Sequence, residues 1–174
     1  MQGDTCSGFS NAIEKGKTMT RIFTALAAVL ALMIGMPASA QDKSKGTAAE
    51  ATAMVDKAIA HIKKVGREKA FADFSSKKAP WVDRDLYVVV YDMKGKVLAH
   101  GSNDKMIGKD VIDLRDNDGK YFVKERVEMM SKSPDAKGWQ DYKFMNPVSR
   151  AIEPKQMYLH RYEDLIVGCG IYKG

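Results

Sequence analysis

Residues 84–121 read RDLYVVVYDMKGKVLAHGSNDKMIGKDVIDLRDNDGKY. Two strand-like runs, 85–91 and 96–100, flank a turn at Met93-Lys94-Gly95. Strand alternation puts Tyr87, Val89 and Tyr91 on one face of the first run and Leu86, Val88 and Val90 on the other. A His100-Gly101 step then leads through Met106-Ile107-Gly108-Lys109 to a long loop that ends at Asn117-Asp118-Gly119-Lys120. A helix is expected from about 119 to 131, with Tyr121, Phe122, Val127 and Met130 as its apolar positions. The stretch therefore predicts a hairpin for one wall of a pocket, a loop across its mouth, and a cation, Lys120, at a helix start.

Upstream of the hairpin the pattern is helical. Thr47 with Glu50 three residues on forms a capping box, and Met54, Val55, Ala58, Ile59, Ile62 and Val65 follow helical spacing. Gly66 breaks the pattern, and residues 67–74 resume it as a short second helix. Downstream, 138–144, 156–162 and 165–172 read as three more strands, the last two joined by the tight turn Glu163-Asp164. Five strands joined mainly by short turns favour antiparallel pairing, with the helices gathered on one side. This is an α+β layer architecture.

The first forty residues do not read as part of that fold. Met19-Thr20-Arg21 is a short basic leader, residues 22–36 are uncharged and apolar, and Ala38-Ser39-Ala40 is a cleavage signal. As a helix the apolar run rises about 22 Å, short of the roughly 30 Å core of a bilayer. Residues 19–40 are therefore expected to be a signal peptide, with an uncleaved membrane anchor as the alternative. Residues 1–18 sit awkwardly before such a signal and read as an upstream extension, with translation starting at Met19. Residues 41–46 are a polar leader expected to be mobile, and 47–174 form one domain.

The chain holds 28 Lys+Arg against 22 Asp+Glu among 174 residues, a net charge of +6. The lysines are scattered among acids with no aromatic-interleaved basic stripe, so nucleic acid is not the expected partner. Local positive potential still favours a small anion. Cys6 precedes the signal, which leaves Cys169 alone in the exported chain and unable to form an internal disulfide. In the apolar run around it, Cys169 is expected to be a small buried hydrophobe, a reactive thiol being the alternative.

Catalytic patterns are missing together. His61, His100 and His160 show no metal-ligand spacing, and His61 is expected to face solvent. No serine elbow or phosphate loop is present. Asp116 and Asp118 lack the spacing of a calcium loop and read as a turn and helix cap. Neither catalysis, a metal nor a cofactor is expected.

The residues that remain suit recognition of a small polar ligand. Tyrosine hydroxyls, the His100 imidazole and Lys120 can together bind a carboxylate. Trp139 and Tyr142 fall on opposite faces of their strand by parity, so both reach one pocket only if it wraps an edge. Each has a plainer alternative. Tyr87 and Tyr91 can simply pack, His100 can hydrogen-bond a neighbouring carbonyl, Lys120 can be solvated, and Trp139 can be packing.

Taken in order, these segments resemble the single Cache domain family, extracytoplasmic sensor modules of PAS-like shape. The resemblance covers 48–173. It rests on the hairpin followed by His-Gly, the I-G-K-D step, the D-x-x-G-K-x-F helix start, the G-W-x-x-Y strand, the N-P…E-P-K connection and the closing L-I-V-G-C-G-I-Y. It implies a long N-terminal helix along an antiparallel sheet of five or six strands, and a pocket between the sheet and its covering loop and helix. It further implies a small organic acid as ligand, with Tyr87, His100, Lys120, Trp139 and Tyr142 lining the site and with His100 and Lys120 meeting the carboxylate. Many relatives sit between two membrane spans and feed an output module. Here the sequence stops at Gly174, so the expectation is a free-standing periplasmic protein that signals through a periplasmic or membrane receptor partner. The amphipathic first helix suits a homodimer or simply its own sheet. An interaction protein that keeps the fold without a ligand, and a redox accessory acting through Cys169, are the competing functions.

Overall fold

The structure, a computed structural model, describes residues 44–173. The signal-peptide segment, the upstream extension and the first residues of the leader lie outside them. Helix α1 spans Ala48–Val65 and begins with the expected capping box. Thr47 accepts from the Glu50 amide at 3.2 Å, and the Glu50 carboxylate accepts from the Thr47 amide at 2.8 Å. Ala51, Met54, Val55, Ala58, Ile59 and Ile62 form its buried stripe. Gly66 ends it at φ 82°, a conformation open to glycine, and α2 follows as Arg67–Phe74.

The strands are β1 (Val82–Asp83), β2 (Leu86–Asp92), β3 (Val97–His100), β4 (Lys137–Met145), β5 (Ile152–Tyr162) and β6 (Leu165–Tyr172). Helix α3, Phe122–Ser131, lies between β3 and β4. All pairs are antiparallel, and the sheet runs β1-β2-β6-β5-β4 with β3 also on β2. Strands β3 and β4, neighbours in sequence, thus stand at opposite edges of the sheet. The chain between them must cross a whole face, and that crossing carries the loop and α3.

The sheet has two apolar faces. Leu86, Val88, Val90, Leu165, Val167 and Cys169 pack under α1 and α2. Tyr87, Val89, Tyr91, Tyr142, Met157, Leu159 and Tyr172 face the crossover and α3. The alternation expected for β2 is the one found. Cys169 is buried beside Met54, its Sγ 3.5 Å from the Met54 Sδ, and burial pushes its thiol up to about 12.

Some boundaries differ from the sequence reading. A sixth strand, β1, is only two residues long and has no pattern to detect. Strand β5 begins at Ile152 and runs through Pro154, whose carbonyl accepts from Lys173 just past the end of β6. The missing N–H therefore faces a side where the ladder is running out, and the proline is tolerated there. Helix α3 starts at Phe122, because Asp116 Oδ1 holds the amides of Asp118 and Lys120 at 3.0 Å each in a turn. His61 is not a solvent-facing residue: it is half-buried, 2.9 Å from Asp73 and 4.8 Å between ring centroids from Trp81.

Candidate functional site

The crossover loop is fastened at both ends. Near β3, Gly108 donates to the Val97 carbonyl at 2.8 Å and Val97 donates to Lys109 at 3.0 Å. Near β4, Asp116 Oδ2 accepts from the Lys143 amide at 3.1 Å. Beneath this cover Tyr87, Val89, Tyr91, His100, Met106, Val111, Leu114, Phe122, Val123, Tyr142, Phe144 and Met157 enclose a cavity. Its room for the centre of a water molecule is about 10 Å³, the size of a single water site.

Three of the residues picked out in the sequence meet here: Tyr87, His100 and Tyr142. His100 stacks on Tyr87 with ring centroids 5.1 Å apart. Its Nδ1 accepts from the Asn103 amide at 3.0 Å and the Ser102 amide at 3.3 Å, so the neutral ring carries its hydrogen on Nε2. Burial, with Lys155 and Arg126 nearby, holds its pKa down to about 3, and the imidazole stays neutral. Tyr142 stacks on Phe122 at 4.6 Å. Burial raises the pKa of both Tyr87 and Tyr142 well above the ordinary phenol value.

The other two do not join them. Lys120 stands at the outer edge, where Nζ donates to the Asp141 carbonyl at 2.8 Å and pairs with Glu125 at 3.0 Å. Trp139 lies on the opposite sheet face and packs on Tyr158 at 5.2 Å against the α1 core. Strand parity separates Trp139 from Tyr142, and the sheet does not wrap to reunite them.

Two buried cations absent from the sequence reading pack against residues of the cavity wall. Arg126, fully buried on α3, donates from Nε to Gln140 Oε1 at 3.2 Å, and Gln140 is itself fixed by donating to the Phe122 carbonyl at 2.8 Å. The guanidinium carbon lies 4.9 Å from the Tyr91 ring centroid, 5.3 Å from Tyr142 and 5.5 Å from Phe122. Nη1 and Nη2 are buried without a hydrogen-bond partner. Lys155 on β5 pairs in register with Tyr142 and is 1 % exposed. Its Nζ donates to Tyr87 at 2.7 Å and Tyr172 at 3.1 Å, and sits 3.9 Å from the Tyr87 ring centroid. Burial, reinforced by Arg126, lowers its pKa to about 7. Among the described residues neither cation has a carboxylate within ion-pairing distance, and the cavity lining has no acidic residue.

Two buried cations, among tyrosine hydroxyls and a neutral imidazole, give this region a positive character that no carboxylate of the described residues within ion-pairing distance offsets. Leaving guanidinium donors unsatisfied in the interior is unfavourable, and an anion that accepts from them removes the penalty. A planar carboxylate matches the paired Nη donors. The signal was present in the sequence. Arg126 follows Phe122 and precedes Met130 at four-residue spacing, on the buried face of its helix, and Lys155 alternates with Met157 and Leu159.

No match was found among curated proteins. Solved structures share the fold. A methyl-accepting chemotaxis protein from Vibrio parahaemolyticus RIMD 2210633 is 20 % identical with a TM-score of 0.61, over 88 % of this chain and 95 % of its own. A structure described as the periplasmic sensor domain of a chemotaxis protein is 19 % identical with a TM-score of 0.56, over 91 % and 99 %. A third, described as the structural basis for carboxylic acid recognition by a Cache chemosensory domain, is 17 % identical with a TM-score of 0.61, over 72 % and 92 %. A family model described as Single Cache domain 2 matches residues 16–174. With that match over most of its length, and a fold shared with these sensor-domain structures, this chain belongs to the single Cache domain family of sensor domains.

Proposed function

We propose that this sensor domain binds a short-chain carboxylate between Arg126, Lys155, Tyr87 and His100, and passes the signal to a receptor partner. The observation that carries the reading is the Arg126 guanidinium, with both Nη atoms buried and unpartnered beside three aromatic rings of the cavity wall. The carboxylic acid recognition described for one structural neighbour supports the same ligand class. The small cavity favours a C2 to C3 acid and requires the covering loop to yield as the acid enters. The exported reading extends the proposal: residues 19–40 removed as a signal peptide, and 47–174 acting in the periplasm.

A second reading, a fold retained for interaction without a ligand, is favoured by the same cavity size, about 10 Å³. It leaves the Arg126 Nη donors buried and unsatisfied, which is why we rank it behind. A thermal-shift screen with acetate, propionate, pyruvate and lactate separates the two. A bound acid at a hundredfold excess over its Kd stabilises by about 2.7 kcal/mol, a rise of several degrees in Tm. Arg126→Met is expected to abolish the shift, while Lys120→Ala and Trp139→Ala keep it. No shift with any of the four acids, or an undiminished shift in Arg126→Met, overturns the carboxylate site.

A further inference from the structure

We propose that an acid entering this cavity brings a proton with it, held on the Lys155 amine, so that the site responds to the acid and to the acidity of the medium together. The inference rests on the carboxylate reading and deepens it.

The groups in direct contact with the Lys155 amine are hydroxyls and ring faces that cannot neutralise an ammonium. From β2, Tyr87 offers a hydroxyl and a ring face; from β6, Tyr172 offers a second hydroxyl. The two phenols also meet each other at 3.3 Å, and Tyr172 donates onward to the Met145 carbonyl at 2.7 Å. From β4 come Tyr142, opposite in register, and the Phe144 ring at 5.9 Å. Neutral His100 on β3 and cationic Arg126 on α3 complete the surroundings, with Asp85 and Cys169 acting from farther away. The Asp85 carboxyl accepts from the Gly46 amide through Oδ1 at 2.6 Å, and its buried Oδ2, which has no hydrogen-bond partner, favours the ammonium from beyond ion-pairing distance.

An amine in this setting is poised between its two forms near neutrality, its pKa lying at about 7. A carboxylate placed beside it favours the ammonium. At a pH above 7 the free acid in solution is an anion, so binding takes one proton from water: the lone pair of the neutral amine forms an N–H bond, and the carboxylate stays ionised against it. His100 is the poorer acceptor, because both backbone amides that donate to Nδ1 would have to be displaced. Arg126 is charged throughout, and the tyrosines are already protonated.

The test is isothermal titration calorimetry of the full chain with acetate, propionate, pyruvate and lactate, in HEPES and in Tris at about pH 8, buffers of different ionisation enthalpy. The bound acid is expected to show a heat that differs between the buffers by the uptake of close to one proton. Its Kd is expected to weaken about tenfold for each pH unit above 7. Lys155→Arg, which keeps a permanent cation, and Lys155→Met, which has no base, are both expected to lose proton uptake and the steep pH dependence of whatever affinity remains. Buffer-independent heat with a pH-independent Kd in the wild type overturns the inference and leaves the carboxylate site standing. Undiminished uptake in both variants places the proton elsewhere and overturns it too. Binding of none of the acids overturns the carboxylate reading itself, and this inference with it.

Discussion

Lys155 is buried where a lysine ordinarily keeps its ammonium in water, and stability records that cost. Its pKa falls from 10.5 in the unfolded chain to about 7 in the folded protein. Between those values the unfolded chain holds a proton that the native state has released, so this residue's contribution makes stability rise with pH across the window. Below pH 7 both states are charged, and the burial penalty is present in full. Lys155→Met is therefore expected to raise Tm, and to do so more at about pH 6 than at about pH 10, where the penalty has faded. Equal Tm gains at the two pH values would show that the amine does not titrate as described. The same two cations mark where the sequence reading stopped short. Strand parity groups Tyr87 with Val89 and Tyr91 and separates Tyr142 from Trp139, while His100 rests on its place at a strand end and on the family resemblance. Arg126 and Lys155 fall outside that reading because arginine and lysine are usually solvated. Lys120 reads as the cation at a helix start, but its partners, Glu125 and the Asp141 carbonyl, are side-chain and tertiary contacts that spacing does not display.

At the scale of elements, β6 shows how the sheet makes room for its own charged residue. A Cβ added at Gly170 would lie 2.5 Å from Lys155 Cε and 3.0 Å from the Gln156 carbonyl oxygen. The lysine stem crosses the strand over a glycine because nothing larger fits beneath it. Gly170→Ala is expected to push the amine off Tyr87 and Tyr172 and to weaken acid binding at least tenfold, about 1.4 kcal/mol. Gly168→Ala crowds Leu159 and Met157 instead and is expected to lower stability with a smaller effect on affinity. Calorimetric titration of the two variants checks this, and equal affinities would remove the role assigned to Gly170. The helices and strands themselves were largely legible, since capping box, helix stripe and strand alternation are local patterns. What escaped was set by tertiary partners: the strand continuing through Pro154, the helix start delayed by Asp116, and a two-residue β1 that exists only because β2 lies beside it.

For the whole molecule, the decisive feature is that β3 and β4 occupy opposite edges of one sheet. The chain joining them has to cross the face that carries Tyr87, Tyr142 and Lys155, and it brings Arg126 with it on α3. Topology thus brings together residues scattered over β2, β3, α3 and β5, those of the proposed binding site, with the crossover loop as their cover. The most direct test is a crystal structure of the protein grown with the acid that stabilises it most. The carboxylate is expected inside the cavity, its oxygens about 2.8 Å from Nη1 and Nη2 of Arg126, with Lys155 Nζ as a further donor. An acid bound at Lys120, or anywhere that leaves both Nη atoms without a partner, would contradict the account.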